Sequence, residues 1–184
     1  GSFLSFMKKK EFDVFGVESS VEARKICLKR GIAVESSESK LASASVDAIF
    51  LWHVLEHLPN PENSLSTYRS ILKSAGLLVV AAPNFESHDS MHYQQDWAAL
   101  DVPRHLWHFT PKGLIKMAYE SGFELLQKGA LGLDVFYICY LSEKHRMKLL
   151  PFVRGILKGT FFSIKALFTG RHSSIVYVFR KRPS

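Results

Sequence analysis

Cysteine is scarce in this chain. Cys27 and Cys139 are the only two, both on apolar segments, which argues against a disulfide framework and for a reducing cytosol. No uninterrupted apolar stretch is long enough to span a bilayer, and no amino-terminal signal pattern is present. Internal repeats and low-complexity segments are missing as well. Acid is rare toward the carboxyl end: from Leu141 onward Glu143 stands alone against ten basic residues between Lys144 and Arg182. The formal net charge is +7, so this tail carries +9 and residues 1–140 carry −2. Basicity belongs to the tail, which argues against specific nucleic-acid binding by the rest and leaves the tail as a surface for phosphates or an anionic membrane.

What is present centres on Val46 to Asn84. Ala48 to Leu51 is an apolar run without helical alternation, followed by His53, Glu56 and His57, then by the cap and first-turn pair Asn60-Pro61. The next segment carries Leu65, Tyr68, Ile71 and Leu72 on one helical stripe and stops at Gly76; Leu77 to Ala82 is a second apolar run. Strand, helix and strand with apolar strands predict a parallel βαβ crossover. Ligands of such sheets bind beyond the carboxyl ends of the strands, so His53 and Asn84 are expected to face one crevice.

The 184 residues suit one domain: a core over 1–140, a basic amphipathic helical insertion over 141–173, and a final strand and tail over 174–184. Gly1 to Lys10 reads as a helix with Phe3, Leu4, Phe6 and Met7 inward. Phe12 to Glu18 reads as a strand, Ser19 to Lys29 as a helix, Ile32 to Val34 as a short strand and Glu35 to Ser45 as a polar loop. Phe85 to Phe109 reads as a long irregular loop, the kind that serves as a lid. Thr110-Pro111 opens a helix, and Phe123 starts a strand that extends irregularly through Leu133 to Tyr140. Arg146 to Thr169 is helix-like, and Ser174 to Arg180 is the last strand.

Several polar residues suit chemistry. Glu18 closes a strand at the offset where nucleotide-binding units place an acid on a ribose diol, or else it caps the helix that follows. His53 suits a base or a pocket wall, with Glu56 and His57 either orienting it or bracing the turn. Arg104 suits recognition of an anionic group or pairs with Asp101. The His88/His92 and His105/His108 pairs lack an acidic cluster and a helical setting, so no metal site is expected.

Three stretches carry a family resemblance. They are Asp47-Ala-Ile-Phe-Leu-Trp-His-Val-Leu-Glu-His-Leu-Pro-Asn-Pro, Ile71-Leu-Lys-Ser-Ala-Gly-Leu-Leu-Val-Val-Ala-Ala-Pro-Asn and Val102-Pro-Arg-His-Leu-Trp-His-Phe-Thr. Together they resemble the signatures of class I S-adenosylmethionine-dependent methyltransferases, in the branch similar to ubiquinone-biosynthesis O-methyltransferases. The resemblance implies a Rossmann-like α/β fold, a mostly parallel sheet with helices on both faces, and S-adenosylmethionine as cofactor. Gly1 would be the last glycine of the family's loop, with the first strand and earlier glycines missing at a truncated amino end. Glu18 would bind the ribose with Ser19 beside it, Ser36 or Glu38 would approach the adenine, and Trp52 and His53 would line the pocket near the reactive methyl. His53 or His105 would act as general base, Arg104 would meet an anionic acceptor, and Trp97 and Trp107 would keep the pocket dry.

The implied reaction is O-methylation of a small molecule, lipid-like or anionic. The rivals are a non-catalytic binding protein and an RNA or protein methyltransferase. The expected location is the cytoplasm. Residues 146–169 would either lie on a membrane surface or pack as an extra helix pair against the sheet or against a second subunit of a homodimer.

Overall fold

The computed structural model describes residues 1–183; Ser184, the end of the expected tail, lies outside the described residues. Two compact units emerge, Gly1–Ser45 and the part from Val46 onward.

In the first unit α1 (Ser2–Lys9), β1 (Phe15–Val17), α2 (Val21–Lys29) and β2 (Ala33–Glu35) follow the expected order. The strands run parallel, Phe15 opposite Ala33 and Val17 opposite Glu35, as a helical crossover requires. Ser20 opens α2 by accepting a hydrogen bond from the Ala23 N–H. Phe3 and Phe6, expected inward, are instead exposed. Two strands of three residues present too little apolar face to cover all of α1.

The second unit contains β3 (Val46–Trp52), α3 (Pro61–Ile71), β4 (Leu72–Pro83), α4 (His88–Tyr93), α5 (Pro111–Glu120), β5 (Phe123–Ala130), α6 (Asp134–His145), α7 (Pro151–Thr169) and β6 (Ser174–Lys181). The sheet order is β3-β4-β6-β5. β3 and β4 are parallel, as the crossover predicted, and β6 runs antiparallel to both β4 and β5. Three strands therefore point one way and β6 alone returns, a mostly parallel, Rossmann-like α/β sheet. Leu78, Val80, Phe123 and Phe179 form its buried centre, while β3 is an edge whose Phe50 and Trp52 are exposed.

Three local expectations change. α3 ends at Ile71 rather than Gly76, because Leu72 is already extended and pairs with Val46. Phe85 to Phe109 is not an irregular lid: Ser87 caps α4, short 3-10 turns follow, and Tyr93 and Trp97 are buried. The segment through Tyr140 is the helix α6, not a strand, because β5 stops at Ala130, opposite Ile175 near the start of β6.

The helical tail is a pair. Pro151 opens α7, and Gly155, Gly159, Phe162 and Ala166 form its buried stripe. A Cβ on Gly155 would lie 2.6 Å from Tyr140 Cα, and one on Gly159 would lie 2.7 Å from Phe136 Cδ1. Only glycine lets the two backbones approach this closely. Glu143, buried in α6, accepts from Tyr93 Oη at 3.0 Å and from Arg154 Nε, so one carboxylate ties α4, α6 and α7 together. Cys27 and Cys139 are both buried free thiols, as expected. Among the described residues no helix is long and apolar enough to cross a membrane.

Candidate active site at the carboxyl end of β3

In the first unit, Gly1 is the N-cap of α1, and a Cβ there would meet Cys27 Sγ at 3.0 Å, a close approach that suits glycine. Glu18 follows β1 and accepts from the Ser20 N–H through Oε1 at 2.9 Å, the capping role foreseen for it. Its Oε2 has no hydrogen-bond partner among the described residues and can still accept from a diol. Arg24 donates to the carbonyls of Glu18 and Ser19 at 2.7 and 2.6 Å and fixes this corner, a role the sequence reading did not include. Ser19 and Ser36 are exposed.

In the second unit, the chain leaves β3 through His53, whose φ of +52° is in the left-handed region. A non-glycine residue held there is strained, and such strain concentrates at functional turns. The His53 N–H donates to Ala81 O at 3.0 Å, which pins the turn to β4. Its imidazole lies between two carboxylates: Nε2 is 3.0 Å from Asp134 Oδ2 and Nδ1 is 3.1 Å from Glu56 Oε1. The bond to Asp134, then the bond to Glu56, raise its pKa to about 9 against the opposing effect of burial. His53 is therefore an imidazolium at neutral pH. Burial alone would raise the Asp134 carboxyl, yet the bond from His53 holds it below its ordinary value. Sequence reading missed Asp134, because its segment was assigned to a strand; the signal was an acid opening an apolar helix.

The segment around Arg104 folds onto this turn. Leu106 N–H donates to Glu56 O at 2.8 Å, Trp107 Nε1 to Leu58 O at 2.9 Å, and His57 Nδ1 to Arg104 O at 2.9 Å. His105 Nδ1 donates to Ala99 O at 2.7 Å. Burial pushes the His105 imidazole below its ordinary value, so it is neutral at pH 7; its Nε2 makes no hydrogen bond among the described residues and lies 3.9 Å from Asp101 Oδ2. Its ring meets His57 edge-on at 4.7 Å between centroids. Arg104 is exposed and spends two bonds, of 2.7 and 3.1 Å, on Asp101 Oδ1, the pairing foreseen as the alternative to anion recognition.

Other expected members lie elsewhere. Asn84 is buried and closes a turn, donating to His172 O at 2.9 Å, so it does not face a crevice with His53. Trp97 is a core residue donating to Asp89 Oδ2 at 2.7 Å, not part of a lid. His88 and His92 do share a helix, α4, contrary to the non-helical setting expected for them, but His88 Nε2 is held by Thr169 Oγ1 at 2.7 Å and neither histidine pair belongs to a donor cluster of its own. Among the described residues the grouping with metal-ligand spacing is instead Glu56, His57 and His105, whose donor atoms lie within 4.8 Å of one another; Glu56 Oε2 is buried with no hydrogen-bond partner.

Residues 1–128 match a methyltransferase-domain family. No curated protein sequence matches the chain. Among solved structures, a SAM-dependent methyltransferase from Thermotoga maritima is 19% identical with a TM-score of 0.65, over 99% of this chain and 77% of that one. A SAM-dependent methyltransferase from Archaeoglobus fulgidus is 18% identical with a TM-score of 0.62, over 98% of this chain and 81% of that one. The StiE O-MT is 14% identical with a TM-score of 0.60, over 99% of this chain and 64% of that one. At these identities the likeness to solved structures is one of fold; the family rests on the match over most of the chain. The chain belongs to the methyltransferase-domain family, and its fold is that of the class I, S-adenosylmethionine-dependent methyltransferases.

Proposed function

We propose that the protein methylates an oxygen of a small molecule, with His105 as general base and His53 as a fixed cation that positions the turn after β3. The observation that carries this division is the different bonding of the two imidazoles. His53 donates from both nitrogens and has no lone pair for a proton. His105 is neutral, its Nδ1–H is held by Ala99, and its Nε2 makes no hydrogen bond among the described residues.

S-adenosylmethionine, when bound, supplies a methyl carbon on a sulfonium. An acceptor hydroxyl would give its proton to His105 Nε2, and the bound cofactor would supply both the methyl group and, as its sulfur, the leaving group. The protein's task is mainly orientation. Glu18 Oε2 suits the ribose diol, with Ser19 beside it, and Ser36 or Glu38 suits the adenine. Gly1 would permit close backbone approach, and Trp52, exposed at the end of β3, would supply an apolar wall. Arg104 is already paired, so an anionic acceptor would have to displace Asp101; a neutral hydroxyl is the better match. The solved neighbours point both ways, since the StiE O-MT stands beside the Thermotoga maritima protein, a possible histamine N-methyltransferase; the choice of oxygen rests on a neutral imidazole suited to taking a hydroxyl proton.

The test uses the gene's full-length product, S-adenosylmethionine and a panel of small alcohols and phenols, with release of S-adenosylhomocysteine as readout. Turnover on a hydroxyl, lost in His105→Asn but retained at reduced rate in His53→Gln, supports the assignment. A folded protein that gives no heat on calorimetric titration with S-adenosylmethionine would instead be a non-catalytic binding protein.

A further inference from the structure

The outer face of α7 is a long exposed apolar surface. At about 3.6 residues per turn, Ile156, Leu157, Phe161, Ile164, Leu167 and Phe168 share the arc opposite the glycine stripe, and all six are exposed. Leu167 and Phe168 are 75% and 86% accessible. Along one border of that arc Arg154, Lys158 and Lys165 fall in a row, each about one turn or two from the next; Arg154 is held by Glu143, Lys158 is half-buried and Lys165 is exposed. The turn before the helix adds Met147 and Leu149, almost fully exposed, with Lys148 between them. From Lys144 to Arg182 there is no acid at all. The helix pair also lies beyond the residues that match the methyltransferase-domain family.

We infer that α7 lies in the surface of an anionic lipid bilayer, with its outer aromatic and aliphatic side chains among the acyl chains and its lysines at the headgroup phosphates. An apolar face bordered by long basic side chains is the arrangement of an interfacial helix, because those side chains extend their stems along the apolar layer and keep their charges in water. Nineteen residues give a rod of about 28 Å, ample for such contact while the three cations forbid spanning. A second copy of the chain is the weaker occupant. Pairing two α7 faces about a two-fold axis brings the basic borders together; Glu143 already neutralises Arg154, but among the described residues Lys158 and Lys165 form no ion pair. Phosphatidylglycerol headgroups do neutralise them.

The experiment is co-sedimentation of the intact protein with vesicles, either of phosphatidylcholine alone or of phosphatidylcholine with phosphatidylglycerol, at low and high salt. The expected result is binding to the mixed vesicles that weakens with salt and is far weaker on phosphatidylcholine alone. Leu157→Glu with Phe161→Glu abolishes it, and Lys158→Gln with Lys165→Gln weakens it by roughly 30-fold on the anionic vesicles. Leu157, Phe161 and Lys165 are exposed and Lys158 is half-buried, and unchanged circular dichroism and melting confirm that the variants fold. Absence of binding to either vesicle, or equal binding by the Leu157→Glu, Phe161→Glu variant, overturns the inference. A lipid-free dimer in sedimentation that this variant dissolves, without vesicle binding by the parent, assigns the face to a second copy and overturns it too.

Discussion

His53 and Asp134 meet at 3.0 Å, one leaving the edge strand β3 and the other opening α6. This pair links the carboxyl end of the sheet to the helical part beyond the family match, and with Glu56 it holds the proton on the imidazole. Asp134→Asn removes the larger of the two bonds that hold the proton. The expected loss is about 2 kcal/mol in urea unfolding at pH 7. His53 titrates at about 9 in the folded protein, above its ordinary 6.5, so its stabilising contribution is complete below 6.5 and disappears as pH rises through 9. The gap between parent and variant should therefore close at alkaline pH; a gap that stays constant from pH 6 to 10 contradicts the charged pair.

Methyl transfer should show a bell-shaped pH profile. The acid limb reflects His105, which must be neutral to accept a proton and whose pKa burial lowers, so this limb falls below pH 6.5. The alkaline limb lies near 9, where His53 loses its proton and the turn loses its clamp. His105→Asn should reduce kcat by about 100-fold and erase the acid limb. Steady-state rates from pH 5 to 10 check both limbs.

Glu18→Gln separates two roles of one side chain. The amide oxygen still accepts from the Ser20 N–H, so the melting temperature should hold. The diol loses a charged acceptor, and affinity for S-adenosylmethionine by calorimetry should fall about tenfold. An unchanged affinity would remove Glu18 from the cofactor site.

Gly155→Ala should destabilise the protein by about 1–3 kcal/mol, because the added methyl meets the Tyr140 backbone, which has no rotamer by which to move aside. Gly129→Ala is the control: nothing lies within 4 Å of its Cβ position, and it should be neutral within about 0.5 kcal/mol. Chemical denaturation of both variants is the measurement.

Much of the fold was legible because apolar runs and caps agree. Asn60 caps α3, Thr110 caps α5, and the runs in β3 and β4 form the parallel pair. What was hidden depends on contacts distant in sequence. Length without a regular period made residues 85–109 look like a lid, yet Asp89 and Ser142 satisfy the Trp97 indole and the Ala98 N–H, so the stretch packs as core. The site was half legible for the same reason. His53, Glu56 and His105 could be named from their motifs. The preference for His105 as base could not, because the partner that keeps His53 protonated comes from α6.

The glycines of α7 also limit how that helix can rotate. Rolling it about its axis to hide its phenylalanines would drive branched or aromatic groups into Tyr140 and Phe136, where there is no room even for a methyl. The greasy side is thus locked outward by the same contact that locks the helix in place, and burying it takes an added surface rather than an internal rearrangement.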